Sequence, residues 1–172
     1  MQDNLPKNVA DRDGQDQQAV AGAASPALSD APARLRFRDD APFESPIAPL
    51  ADFLAGGNFA AVRIEPGEDV RALLPHLGRL KLVEIAFPKF RDGRGYSSAR
   101  ILREAGFAGE IRAAGDVLVD QLGFMRRAGF DSFAPNRPLD PAVVAATLAR
   151  FPYVYMKAAD GLAPVWALRA GA

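Results

Sequence analysis

The sequence predicts a single α/β domain whose sheet is mainly parallel and is built from successive β–α units. From about Leu50, short apolar strand-like runs alternate with helix-like segments, and most segments are bounded by glycine or proline. The 172 residues are enough for one domain with a proper core. Helices between consecutive strands indicate right-handed crossovers. Two architectures fit this pattern equally well, a half β/α barrel and an open doubly wound sheet.

The strand-like runs are apolar and end at residues that favour turns. Four of them are predicted strands, at residues 59–64, 82–87, 110–114 and 130–133. A fifth run, Tyr153–Met156, is either another short strand or an extended segment that packs on the core.

The helix-like segments begin at residues that can cap a helix N-terminus. These predicted first residues are Asp69 or Glu68, Ser97 or Ser98, Asp116, and Asp140 followed by Pro141. In the third helix, the residues predicted to face the core are Val117, Leu118, Leu122, Phe124 and Met125. The second and third helices are followed by Gly106 and Gly129, which suit a left-handed C-terminal cap.

The α/β domain is predicted to span residues 34–157. Residues 1–33 are rich in Gln, Asp, Ala, Pro and Gly without an apolar period, which predicts a disordered tail. Residues 34–50 are interrupted by proline and predicted to be extended, with Leu35, Phe37 and Phe43 available to hold them against the domain. Residues 158–172 form a C-terminal extension in which Trp166 packs on the domain or on another chain.

The composition excludes several kinds of function. The chain has 21 basic and 21 acidic residues, so no overall charge recruits nucleic acid or an anionic membrane. It has no cysteine, which excludes disulfides, Cys-ligated metals and a protein-bound iron–sulfur cluster. His76 is the single histidine, so multi-histidine metal sites are excluded and no metal is expected. No apolar run reaches the roughly 20 residues of a membrane span, and no secretory signal begins the chain, which favours a cytoplasmic protein.

The loop from Phe87 to Ser97 is the strongest candidate for a functional site. It follows a strand and precedes a helix, where ligands gather in parallel α/β folds. Its residues have the chemistry of an anion or partner site: Lys89, Arg91 and Arg94 supply charge, Gly93 and Gly95 allow close approach, and Tyr96 and Ser97 supply hydroxyls. Asp92 lies in the same loop and Arg100 about one turn later. The alternative is a solvated basic loop with Arg–Asp pairs.

The Gly-Arg-Gly sequence of this loop matches no mononucleotide or dinucleotide fingerprint, so the sequence does not identify a cofactor.

Three carboxylates are candidate acid/base groups, namely Asp116, Asp120 and Glu84. Asp116 and Asp120 are spaced to share one face of the predicted helix. The structural alternative is that Asp116 caps that helix, and that the pair holds Arg94 and Arg112 by ion pairs. Glu84 is either a strand-edge ion-pair partner or a buried functional carboxylate.

The same residues resemble a bacterial family, the domain of unknown function 934. The resemblance rests on Phe87–Ser97, Leu102-Arg103-Glu104, Gly115-Asp116-Val117, Asp120-Gln121-Leu122 and Gly129-Phe130-Asp131, and it covers about residues 50–157. Members are commonly described as oxidoreductases involved in sulfite reduction and are typically encoded beside assimilatory sulfite reductase. The resemblance therefore implies a role in sulfur assimilation and cysteine biosynthesis.

Three functions follow as expectations. The first is an accessory protein of sulfite reduction whose basic loop binds a small oxyanion, sulfite reductase or another sulfur-assimilation enzyme. The second is an enzyme, in which the three carboxylates supply the acid/base group and the arginines hold substrate. The third is a non-enzymatic scaffold that completes a larger complex through the Trp166 segment.

Overall fold

The computed structural model describes residues 34–169, and these contain a six-stranded sheet with helices between the strands. The predicted tail at residues 1–33 and the last residues of the extension, 170–172, lie outside the described residues. The strands are β1 (Leu35–Arg36), β2 (Ala48–Pro49), β3 (Ala61–Ile64), β4 (Leu82–Phe87), β5 (Glu110–Gly115) and β6 (Ser132–Pro135). The α-helices are α1 (Leu50–Leu54), α2 (Arg94–Glu104), α3 (Leu122–Ala128), α4 (Pro141–Ala149) and α5 (Val165–Arg169). Two 3₁₀ helices span Val70–Arg79 and Val119–Gln121.

The strand order decides between the two predicted architectures. Strands β2 to β6 are parallel and lie side by side in chain order, and only β1 pairs antiparallel, beside β6. A doubly wound sheet reverses its strand order, which this sheet does not. Right-handed crossovers in one direction place all helices on one face, and consecutive helices do pack on one another along the sheet. The mainly parallel α/β fold is confirmed, in its half-barrel-like form.

The face of the sheet toward the helices forms the hydrophobic core. Every second residue of each strand points to this face, because successive side chains of a strand point to opposite faces of the sheet. The buried strand residues on this face are Val62, Ile64, Val83, Ile85, Phe87, Ile111, Ala113 and Phe133. From the helices, the buried residues include Leu73, Leu102, Leu122 and Met125. Leu35 and Phe37 pack against this core from the N-terminal side, as predicted for the extended segment.

The opposite face of the sheet carries a row of charged and polar residues, which we call the charged row. The strand register places Arg63, Glu84, Arg112, Ser132 and Arg36 side by side across five strands. The Glu84 carboxylate accepts a hydrogen bond of 2.7 Å from the Arg63 guanidinium, and its other oxygen lies 3.6 Å from the Arg112 guanidinium. Glu84 is therefore a buried ion-pair partner in the middle of the sheet rather than a strand-edge residue or a group at the loops.

Glu110 completes this network from the start of β5, two residues before Arg112 and on the same face of the sheet. Its carboxylate accepts hydrogen bonds from Ser132 at 2.6 Å, Arg112 at 2.8 Å and Arg36 at 2.9 Å. Burial by itself would raise the pKa of Glu110, but these three hydrogen bonds outweigh burial, and the pKa lies below its ordinary value of 4.5.

Two predicted helix starts are wrong. Helix α2 begins at Arg94 with Gly93 as N-cap, so Ser97 and Ser98 lie within the helix and cap nothing. The third helix begins at Leu122 after a 3₁₀ turn, so Asp116 does not cap it. The starts at Asp69 and Asp140 are confirmed, because each side chain accepts a backbone N–H two residues later.

Three further details differ from the prediction. The segment after Asp69 is a 3₁₀ helix, which agrees with Pro75 inside it, since proline removes a backbone donor. Phe124 is 64% exposed instead of facing the core. Tyr153–Met156 is not a strand, and only Val154 makes an isolated bridge, to Pro164. Among the helices of residues 34–169, none has the length and apolar character needed to cross a membrane.

Candidate functional site

The two loops singled out from the sequence lie at the same edge of the sheet. Phe87 ends β4 and pairs in register with Gly115, which ends β5. The Asp116 N–H donates to the Phe87 carbonyl at 2.7 Å and joins the start of the second loop to the first. Gly115 has a φ of +115° and lies so close to the Phe87 backbone that a Cβ would overlap it. Glycine is required at this junction.

The tip of the first loop is held by the second loop through both backbone groups of Phe90. The Asp116 Oδ2 accepts from the Phe90 N–H at 3.0 Å, and the Gln121 Nε2 donates to the Phe90 carbonyl at 2.8 Å. The Phe90 side chain remains 41% exposed. Asp116 and Gln121 therefore hold an exposed aromatic residue in a fixed position.

The basic residues of the loop do not converge on one point. Lys89 and Arg91 are exposed, and the Arg91 guanidinium lies 5.9 Å from the Phe90 ring centre. Arg94 instead pairs with Asp92 at 2.6 Å, and hydrogen bonds from Arg94 lower the pKa of Asp92 to about 2. Arg100 pairs with Glu104 at 2.7 Å, one turn further from the loop. Among the basic residues of the loop, Lys89 and Arg91 are thus the two without an ion-pair partner within residues 34–169.

Each of the two glycines of the loop has a structural role. A Cβ at Gly95 would overlap the Phe87 ring, so Gly95 lets α2 pack closely on β4. Gly93 has an ordinary φ of −72° and is the N-cap of α2.

Tyr96 is half-buried, whereas Ser97 and Asp120 lie at the surface. The Tyr96 ring packs edge-on against Phe87 and Phe130, with ring centres 6.0 and 6.3 Å apart. Burial raises the pKa of Tyr96, and the negative charge of Asp120 raises it further. Tyr96 therefore belongs partly to the core, and its ring is held by aromatic contacts.

Asp116 and Asp120 do not act as a pair on one helix face. Asp120 lies within the 3₁₀ turn, whereas Asp116 precedes it and is engaged with the Phe90 N–H and, at 3.4 Å, with Arg137. Neither Arg94 nor Arg112 pairs with Asp116, contrary to the structural alternative, since Arg94 binds Asp92 and Arg112 binds glutamates of the charged row.

Sequence reasoning missed Arg137 as a member of this edge. It follows β6, its side chain is 79% exposed, and it reaches this edge through its contact with Asp116 at 3.4 Å. The available signal was its place just after a strand end, in Asn136-Arg137, since parallel strands bring such residues to one edge.

A cleft of about 170 Å³ lies beside the loop, between the end of β3 and the start of α2. Its charged lining residues are Glu65, Glu68, Asp92 and Arg94, so it is acidic on balance. Glu65 and Glu68 were also missed, although they follow the end of β3 directly. Residues 34–169 contain no group of three or more Asp, Glu or His residues placed to hold a metal ion.

Removal of the Asp116 carboxylate is expected to loosen the loop tip without unfolding the domain. Asp116→Ala should raise the amide hydrogen-exchange rate of Phe90 about tenfold, as expected for losing one hydrogen bond to a charged group, about 1.5 kcal/mol. The matched control is Asp120→Ala, which removes the same charge but no hydrogen bond of the loop. Unchanged protection of the Phe90 amide in Asp116→Ala would contradict the clamp.

Comparison with known proteins identifies a family but no characterised relative. No curated protein and no solved structure matches the chain. A family model described as "Bacterial protein of unknown function (DUF934)" matches residues 61–166, which span β3 to α5 and include both loops. Since this match covers more than half of the 172 residues, the chain belongs to the DUF934 family.

Proposed function

We propose that the protein is an accessory protein of assimilatory sulfite reduction that docks a redox enzyme of that pathway through the tip of the Phe87–Ser97 loop. The observation that carries the proposal is the exposed Phe90, whose backbone is held by Asp116 and Gln121. The sulfur context is supported by the motif resemblance described above.

The geometry favours a protein partner over a small oxyanion. Lys89 and Arg91, which have no ion-pair partner in the described part of the chain, flank the exposed Phe90 and do not surround a cavity, while the adjacent cleft is acidic. Aromatic and arginine side chains are the residues that contribute most to protein interfaces. A rigid loop also loses less conformational entropy on binding than a mobile one.

Two of the three candidate acid/base residues support an accessory role. Glu84 lies in the charged row and is ion-paired there. Asp116 is occupied in holding the loop tip. These contacts account structurally for two of the three candidate carboxylates, and the third, Asp120, is exposed. We therefore assign the catalytic step to the partner enzyme.

The test is co-purification of the tagged full-length chain from cells grown on sulfate, combined with deletion of its gene. Sulfite reductase or another sulfur-assimilation enzyme should co-purify with the tagged chain. The strain that lacks the gene should require added cysteine for growth. Phe90→Ala with Arg91→Ala should abolish co-purification while the circular dichroism spectrum is retained.

The matched control is Leu54→Ala with Arg100→Ala, which removes one exposed apolar and one exposed basic side chain outside the loop tip. If the loop variant still co-purifies with its partner, the docking site is wrong. Growth of the deletion strain on sulfate alone, without a co-purified sulfur enzyme, would refute the pathway. Sulfite turnover by the isolated chain with a reductant would refute the accessory role.

A further inference from the structure

The C-terminal part of the described chain exposes a large apolar surface. Six side chains line one groove of about 650 Å³, and five of them are between 64% and 76% exposed while the sixth is 48% exposed. We call them the aromatic surface: Phe124, Phe151, Tyr153, Tyr155, Met156 and Leu162. They expose roughly 800 Å² together, at about 200 Å² for each complete side chain. The largest apolar patch on a typical monomer is about 300–600 Å².

The backbone beneath this surface is well anchored. Arg127 bonds the Asp160 carboxylate at 3.0 Å and the Met156 carbonyl at 2.6 Å, which ties the segment to α3. The Trp166 indole N–H donates to the Tyr155 carbonyl at 3.0 Å. The segment thus satisfies backbone polar groups internally while it presents its large apolar side chains outward.

Helix α4 gives a second and independent indication of an interface. Its sequence, Pro-Ala-Val-Val-Ala-Ala-Thr-Leu-Ala, has no charged residue, and yet Val144 is its only buried residue. Val143 is 46% exposed. A helix that is apolar all round belongs inside an assembly rather than at a water-facing surface.

We propose that the aromatic surface binds a second copy of this chain in a two-fold symmetric dimer. A standard interface buries about 800 Å² on each partner, which is the area that the aromatic surface supplies. The low charge of α4 and the aromatic groove match the more apolar composition of permanent homodimers.

Charges at the groove favour a second copy over an acidic or basic partner. Asp120 and Arg150 both line the groove, and neither has an ion-pair partner within residues 34–169. Arg126 also lines the groove without an ion-pair partner in the described residues, but its guanidinium lies 4.4 Å from the centre of the Phe37 ring. Because unpaired charges of both signs line the groove, a two-fold axis can bring Asp120 of one protomer to Arg150 of the other.

The oligomeric state of the purified full-length chain tests this proposal by sedimentation equilibrium or light scattering. The expected mass is twice the 18.4 kDa of one chain. Phe151→Glu with Tyr155→Glu should give a folded monomer, since both side chains are already exposed. The matched control, Leu54→Glu, places a carboxylate on an exposed apolar residue of α1 and should remain dimeric.

A charge exchange tests the orientation of the dimer. Asp120→Arg and Arg150→Asp should each weaken dimerisation about tenfold or more, because each brings like charges together. The double exchange restores opposite charges and should recover most of the affinity. A monomeric wild type, or a dimer that survives Phe151→Glu with Tyr155→Glu, would overturn the proposal. Phe90→Ala should stay dimeric, so failure here leaves the proposed docking loop unaffected.

Discussion

Glu110→Gln is expected to lower the free energy of unfolding by about 3 to 5 kcal/mol, the typical cost of removing one partner from a buried ion pair. The side chains of Glu110 and Arg112 are each 3% exposed, and their charged atoms are 2.8 Å apart. Without the carboxylate, Arg112 keeps only Glu84, at the longer distance of 3.6 Å. Within residues 34–169 the buried Arg112 Nε already has no hydrogen-bond partner, so the loss of a second partner from this guanidinium is costly.

Urea unfolding measures this effect, and the matched control is Glu104→Gln. Glu104 pairs with Arg100 at 2.7 Å, but their side chains are 62% and 75% exposed. The same chemical change should therefore cost less than about 0.5 kcal/mol on the surface of α2. If Glu110→Gln and Glu104→Gln lost equal unfolding free energy, burial of the charged row would not determine its contribution to stability.

The pH dependence of stability gives an independent test of Glu110. Its pKa is lower in the folded protein than its ordinary value of 4.5, so the unfolded chain takes up a proton first as pH falls. The stabilisation is complete above pH 4.5 and is lost as pH falls through the folded-state pKa. Wild type should lose more stability across this acidic range than Glu110→Gln, as measured by unfolding at a series of pH values.

The sheet could be predicted from the sequence because its signal is local. The strand at 82–87 is six consecutive buried residues, and the helix at 141–149 begins with an Asp–Pro cap. Strand order was not predictable, because it depends on long-range pairing. The short strand Ala48–Pro49 and helix α1 were also missed, since proline obscures a pattern in so few residues.

The roles of individual site residues depend on contacts between distant parts of the chain. Gly-Asp after a strand fits a helix cap, but the partner of Asp116 is the Phe90 N–H, 26 residues away. Glu84 was predicted to be either a strand-edge ion-pair partner or a buried functional carboxylate, and only the strand register shows that it meets Arg63 and Arg112. Local pattern identified the right loop, while tertiary packing determined what its residues do.

Gly115→Ala is expected to destabilise the domain by about 3 kcal/mol and also to disturb the loop tip. An alanine at a φ of +115° is strained by about 1 to 3 kcal/mol. Its Cβ would also overlap the Phe87 backbone, and neither main chain can move without disturbing the pairing of β4 with β5. Because the Asp116 N–H bonds the Phe87 carbonyl at this point, displacement also moves the carboxylate that holds Phe90.

Two measurements separate the effect on the fold from the effect on the site. Urea unfolding should give the loss of stability, and hydrogen exchange in native conditions should show faster exchange at the Phe90 amide. Gly123→Ala is the matched control, since Gly123 lies within α3 with no atom near an added Cβ. That substitution should stabilise the domain by about 0.5 to 1 kcal/mol, because alanine is the better helix former. If Gly115→Ala lost stability while the Phe90 amide kept its protection, the β4–β5 junction would not control the loop tip.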